Sequence, residues 1–384
     1  MRKIFSKMDK PLLFITIAFF LFGLIMVLSA SSMESYMRYG YGPYHYFYRQ
    51  AFFIGLGLIL FFIIIRIPTK SYNFLSYIFV GIIIAVLSIL FGYGHIVSGA
   101  QSWFRLGTFG IQPSEFAKIV CIMFLGSYYG MHKEDFNNVK ILIWPLVPVI
   151  IIFGMVLIQP DLGTALIIMF ISMFMFFSLP VQKKILNKFK LLVIGGVSLL
   201  VILYVLTGGK ILKEYQRERF NFFDPCERYQ EVSGYQLCNS FIAFKNGGLV
   251  GEGIGKSTQK YLYLPESYTD FIFPIIVEEW GAMVGILIIF IYLFIIYRLY
   301  RIARKASSLQ LSLIGYGICM YLFLHIAINL GGVMGLVPLT GVPLPFLSYG
   351  GSYVISLMAS LGIAQRIAIE SNEKKKKVEK KLVK

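Results

Sequence analysis

The sequence predicts an all-α, polytopic membrane protein with about ten transmembrane helices and one large extracytoplasmic loop. Long apolar runs recur from end to end of the 384 residues, and 57% of the chain is hydrophobic. Only 14% is charged, against about 25% in an ordinary soluble protein. The excess of Lys and Arg, a formal net charge of +17, is divided among short segments between the apolar runs. Membrane topology therefore accounts for it, and no nucleic-acid partner is expected.

The basic N-terminus, MRKIFSKMDK, leads into an apolar run over residues 11–30. Ser29-Ala30-Ser31 resembles a signal cleavage site, but the run is longer than a signal-peptide core and many spans follow, so an uncleaved anchor is expected. Further spans are read at 50–65, 74–91, 114–129, 142–158, 164–179, 191–206, 271–297, 311–336 and 354–369. Arg2, Lys3, Lys7 and Lys10 place the N-terminus inside. Alternate loops then carry Arg66 and Lys70, Lys133 and Lys140, Lys183 to Lys190, and Arg298 to Lys305, and the tail adds Arg366 and the run Lys374-Lys375-Lys376-Lys377. Both termini are thus expected on the cytoplasmic side of the cytoplasmic membrane. The chain reads as one membrane domain, 1–370, and a basic cytoplasmic tail, 371–384, that also meets anionic headgroups.

The remaining loops then face outward, and the longest is 208–269. A loop of that size without a span is usually functional. A short amphipathic helix lying on the membrane is expected near 211–222. Pro338, Pro343 and Pro345, with Gly341, Gly350 and Gly351, leave no ordinary helix in 336–352. Such backbone is tolerated at membrane depth only where protein buries it or it lines a cavity, so this segment is expected to wall a site.

Asp270 stands where the long loop meets an apolar run, and Glu278 and Glu279 lie inside that run. Acids in a membrane helix mark functional sites. On a straight helix the two Glu residues would lie about 12–13 Å below Asp270, and a structural role is expected for them. For Asp270 two readings stand, a catalytic acid–base group and a helix N-cap formed with Thr269. Glu115 and Lys118 share a helical face behind Pro113 and the expected N-cap Ser114; they are either a structural ion pair or a cavity-facing, substrate-binding pair. Arg105, beside Trp103, is a candidate anion contact. Asp161 is expected to cap the helix that follows. His325 and Asn329, at i and i+4, are expected to form interhelical hydrogen bonds.

Gly255-Lys256-Ser257 imitates the end of a phosphate loop, but the first glycine of that motif is replaced by Val250. What remains is either a turn-rich loop or a backbone nest that, with Lys256 or Lys260, meets a diphosphate. No Cys/His spacing matches a metal site. Cys121 and Cys319 lie in apolar runs and read as packing residues. Cys226 and Cys238 share the long outer loop, where they form a disulfide or remain two free thiols.

Several motifs occur together and in order: Trp103-Phe104-Arg105, Gln112-Pro113-Ser114-Glu115 with Lys118, Gln159-Pro160-Asp161-Leu162-Gly163-Thr164, Gly234-Tyr235-Gln236, Gln259-Lys260, Leu264-Pro265-Glu266, Thr269-Asp270-Phe271-Ile272-Phe273 and PLPFLSYGGS at 343–352. In these the chain resembles the SEDS family (shape, elongation, division and sporulation). The resemblance implies a ten-helix glycosyltransferase that polymerises lipid II into peptidoglycan on undecaprenyl-diphosphate-linked glycan. It implies work beside a class B penicillin-binding transpeptidase and other divisome or elongasome membrane proteins. Asp270 matches the family's essential Asp, and Glu115 and Lys118 its cavity pair; Glu266 is counted with the substrate-binding residues, and a divalent cation, Mg or Mn, is implied. Gln259-Lys260 and Gly331-Gly332-Val333 look closer to the division type. The alternatives are a flippase or transporter for lipid-linked precursors and a non-catalytic division scaffold.

Overall fold

The computed structural model describes residues 2–97, 100–106, 109–207 and 222–382. The helix expected near 211–222 lies almost wholly outside the described residues. In chain order the helices are α1 (Arg2–Phe5), α2 (Lys10–Tyr39), α3 (His45–Ile64), α4 (Tyr72–Tyr93), α5 (Pro113–Met131), α6 (Val139–Ile143), α7 (Leu146–Ile158), α8 (Leu162–Phe177), α9 (Lys183–Leu206), α10 (Val232–Gly247), α11 (Ile272–Arg304), α12 (Leu309–Val333) and α13 (Gly351–Leu382). Among the described residues seven segments are long and apolar enough to cross a membrane: α2, α3, Thr69–Tyr93, Val139–Ile158, α11, α12 and Gly351–Lys375. The chain is thus an all-α, multi-pass membrane protein. Helices α5, α8 and α9 fall on the other three segments read as spans.

Helix α5 is less apolar for a reason that packing supplies. From Pro113 to Tyr129 every residue but Phe116 is buried, with α4, α8, α12 and α13 around it. A helix with no lipid face is free to carry Glu115, Lys118 and Ser127 if each finds a partner. Its N-cap falls on Gln112, with Pro113 at the first helical position, so the expectation that Ser114 is the cap is corrected. The connection before α5 adds a feature absent from the sequence reading, a three-stranded antiparallel meander of β1 (His95–Val97), β2 (Ala100–Leu106) and β3 (Phe109–Ile111).

One end of the bundle is closed by ion pairs. Asp9 caps α2 through Leu12 N at 3.0 Å and pairs with Arg298 of α11 at 2.5 Å, while Lys7 meets Glu373 at 2.7 Å. Helix α13 continues through this end to Leu382, so the basic tail begins inside a helix.

Helix α11 is broken at Gly281 (φ 84°, ψ 165°), a conformation that is essentially glycine-only. The break strands backbone groups, and the chain after α10 satisfies them. Glu252 N and Gly253 N donate to the carbonyls of Glu278 and Glu279 at 2.9 and 3.0 Å, and Ala282 N donates to Gly248 O at 2.9 Å. The approach is close enough that a Cβ on Gly281 would stand 2.3 Å from Leu249 O, and one on Gly251 would stand 2.4 Å from Glu279 O. Gly281→Ala is therefore expected to lose stability by at least the 1–3 kcal/mol typical of such strain, roughly. Thermal unfolding of the purified protein in detergent measures it, and an unchanged midpoint would contradict the break.

Glu278 and Glu279 are satisfied in the same region. Glu279 Oε1 accepts from Ser29 Oγ of α2 at 2.6 Å, while Arg298 and Asp9 pair further along the same two helices. At 1.5 Å per residue both routes separate the two levels by about 30 Å, the thickness of a hydrocarbon core. The two carboxylates lie just ahead of the break in α11, where polar partners reach them.

Cys226 and Cys238 are joined by a disulfide that ties the chain ahead of α10 to that helix. Closing a loop of this length contributes roughly 2–3 kcal/mol by the chain-entropy account. Cys226→Ser is expected to lower the unfolding free energy by that amount, and mild reductant is expected to reproduce the loss in the native protein only.

Candidate active site

Asp270 ends a turn made by the residues before it. Glu266 takes a left-handed backbone (φ 57°), and its carbonyl accepts from Thr269 N at 3.2 Å and Phe271 N at 3.1 Å. Its carboxylate accepts from Thr269 Oγ1 at 2.8 Å. Glu266 therefore shapes the turn. The N-cap of α11 falls on Phe271, which makes no side-chain cap bond, and Asp270 stands one residue outside. Asp270 is half-buried.

Residues 334–350 contain no helix and fold against that turn. Ser348 Oγ donates to Thr269 O at 2.6 Å, and Tyr349 N donates to Tyr268 O at 2.9 Å. Gln50 of α3 holds the same stretch, donating to Ser348 O at 3.1 Å and accepting from Gly350 N at 3.2 Å. A Cβ on Gly341 (φ 71°) would stand 3.2 Å from Asp270 Oδ2, so the bare backbone of this segment lies beside the carboxylate. Burial pushes the Tyr349 phenol up to about 12 and that of Tyr268 up as well, which also bonds Tyr46. Both stay neutral at physiological pH.

Glu115 and Lys118 join the same network. Lys118 Nζ lies 2.7 Å from Glu115 Oε1 and 3.0 Å from His325 Nε2. One turn further along α12, Asn329 Nδ2 donates to Asp270 O and to Val342 O, each at 2.8 Å. The pair and Asp270 are thus linked through two residues of one helix. Lys118 has no exposed side-chain surface, and its ammonium is taken up by Glu115 and His325. Asp161 caps α8 through Thr164 N at 3.1 Å, as expected. Its second oxygen accepts from Gln112 Nε2 at 2.8 Å, which ties α8 to the start of α5; the sequence carried no signal for that bond.

Two of the candidate anion contacts have internal partners. Lys260 is 3% exposed, with Nζ 2.7 Å from Glu279 Oε1 and 3.0 Å from Ser29 Oγ; it neutralises a buried acid. Glu278 Oε1 likewise accepts from Asn246 Nδ2 and Thr258 Oγ1, each at 2.8 Å, and Oε2 from Ser257 Oγ. The glycine-rich loop directs its N–H groups at the broken helix, so it forms no anion nest at Glu252 and Gly253. Lys256 remains exposed. Arg105 lies in β2 opposite Gly110, and its side chain is outside the described residues. A pair that sequence reading passed over is Glu34–Arg38, 2.9 Å apart and within electrostatic reach of Glu266. Its i, i+4 spacing beyond the apolar part of α2 was the available signal.

The family model described as "Cell cycle protein", of FtsW, RodA and SpoVE, matches residues 10–373. The chain belongs to the FtsW/RodA/SpoVE family. It is 37% identical to a probable peptidoglycan glycosyltransferase FtsW of Bacillus subtilis over 99% of this chain and 95% of that one. Among solved structures, it resembles a chain of a peptidoglycan synthase complex described as coordinating polymerization and crosslinking (25% identity, TM-score 0.73, 95% and 98% of the two chains covered). It also resembles the rod shape determining protein RodA of Thermus thermophilus (26% identity, TM-score 0.66, 94% and 96% covered). In this FtsW/RodA/SpoVE chain the Asp270 turn, the Pro343 segment and the α5–α12 pair form one connected polar network.

Proposed function

We propose that this chain is a peptidoglycan glycosyltransferase that polymerises lipid II at the outer face of the cytoplasmic membrane, with Asp270 as its base. The observation that carries the reading is a half-buried Asp270 whose carbonyl is held by Asn329 and whose turn is bonded to Ser348 and Tyr349. In the reaction the 4-hydroxyl of the incoming lipid II attacks the anomeric carbon of the growing glycan. The bond from that carbon to the diphosphate oxygen breaks, undecaprenyl diphosphate leaves, and the hydroxyl proton passes to Asp270. Lys256, exposed on the same connection, is a candidate contact for the diphosphate.

Among the described residues no group of three or more His, Cys, Asp or Glu side chains is placed to hold a metal. A hard divalent cation, Mg or Mn, needs only one or two protein carboxylates when a phosphorylated substrate supplies other oxygens. Asp270 would be one such carboxylate. When bound, such a cation supplies charge neutralisation at the departing diphosphate.

The reading includes ten spans, a membrane domain over 1–370 with a basic tail at 371–384, and both termini in the cytoplasm, supported by the alternation of basic loops. It also includes a crosslinking transpeptidase as partner, supported by the likeness to a chain of a synthase complex. A cysteine placed at Lys376 is expected to resist a membrane-impermeant thiol reagent in intact cells; labelling there would reverse the topology. The central test is glycan synthesis from lipid II by the purified protein, alone and with a class B transpeptidase. Transbilayer movement of lipid II without polymer would favour a flippase instead.

A further inference from the structure

His325 and Asn329 are given no part by the reaction as written, yet between them they bond Lys118, Asp270, Val342 and Pro343. Asn329 donates to two carbonyls from different segments, Asp270 O and Val342 O, each at 2.8 Å. His325 Nδ1 meets Pro343 O at 3.3 Å and Nε2 meets Lys118 Nζ at 3.0 Å. Lysine is a donor and the carbonyl an acceptor, so the partners select the tautomer with the proton on Nδ1. The ring is stacked on Tyr353, with centroids 4.8 Å apart and planes 20° apart.

We propose that His325 and Asn329 are positioning residues, a clamp on α12 that fixes the Asp270 turn and the 341–348 segment against the Glu115–Lys118 pair. The proposal rests on the glycosyl-transfer reading for its catalytic consequence. Both residues are buried, so neither reaches substrate, and each acts through what it holds. The segments they grip lack helix or sheet bonding of their own, and Pro343 has no N–H; side-chain donors are what keep such backbone in one conformation. Asn329 Oδ1 is buried without a hydrogen-bond partner among the described residues. A position selected for packing alone would hold an apolar side chain and avoid that unsatisfied acceptor. The amide is retained for its two N–H groups.

The test uses the purified full chain, as wild type, Asn329→Ala, Asn329→Asp (the same shape without donors), His325→Gln and Asp270→Asn. Hydrogen exchange is followed in peptides covering 263–271 and 341–348, beside kcat and KM for lipid II. Both Asn329 variants are expected to exchange at least about 10-fold faster in those two segments and not elsewhere. Their kcat should fall about 10–100-fold with KM within about 3-fold, as for lost alignment without lost binding. His325→Gln keeps an acceptor for Lys118 and should fall between them and wild type. Asp270→Asn should stop turnover without changing exchange. Unchanged exchange in both Asn329 variants, faster exchange spread over the whole bundle, or a loss carried by KM would each overturn the clamp. If the wild type makes no glycan the glycosyl-transfer reading fails, while the exchange measurements still decide the clamp.

Discussion

Purified Asp270→Asn is expected to reach the membrane in normal amounts, bind lipid II and fail to polymerise it. The substitution is nearly isosteric, which matters beside the backbone of Gly341, where the carboxylate has little spare room. The bond from Asn329 goes to the carbonyl of residue 270 and not to its side chain, so it survives. The cap of α11 falls on Phe271 and is unaffected. An amide in that place cannot take the acceptor's proton or ligate a cation as a carboxylate does. Loss of a general base lowers turnover by about 10²–10⁴-fold. The measurement is the initial rate of glycan formation, normalised to folded protein by unfolding midpoint. Near-normal synthesis would leave the proposed transfer without its base.

Lys260→Met is expected to be strongly destabilising. Lys260 and Glu279 are both almost fully buried and lie 2.7 Å apart. The carboxylate keeps only Ser29 when the ammonium is removed, and its second oxygen already lacks a partner. Stranding one member of a buried pair costs about 3–5 kcal/mol, whereas an exposed pair would be worth about 0–1 kcal/mol. Replacing both charges, as Lys260→Met with Glu279→Leu, removes the stranded carboxylate and should recover most of the loss. Thermal and denaturant unfolding of the four proteins completes a double-mutant cycle. A loss below about 1 kcal/mol in Lys260→Met would mean that water reaches the pair.

Much of this protein is legible in one dimension. Apolar length marks a membrane span wherever lipid is the neighbour, and the basic loops alternate because charge bias acts on each short loop separately. Both are local properties, so α2, α3, α11, α12 and α13 can be found without knowing what they touch. The density of proline and glycine at 336–352 likewise excludes a helix locally. The motifs from Trp103 to PLPFLSYGGS carry the family resemblance for the same reason, since each is a short contiguous string. Asp161 could be recognised as a cap because its partner Thr164 lies three residues away.

What only the tertiary structure decided is which charge meets which. Lys260 looked free to bind a diphosphate until Ser29 and Glu279 were brought to it. The glycine-rich loop looked like an anion nest until the break at Gly281 presented it with unpaired backbone groups. Glu278 and Glu279 announced buried acids, but not that Ser257 and Lys260 would satisfy them. The deciding contacts, Ser29 with Glu279, Lys118 with His325 and Asn329 with Asp270, join segments that are remote in sequence. A buried charge or a stranded carbonyl must be satisfied by whichever group the fold brings within about 3 Å. Residue type and spacing state that need, and packing alone chooses the partner.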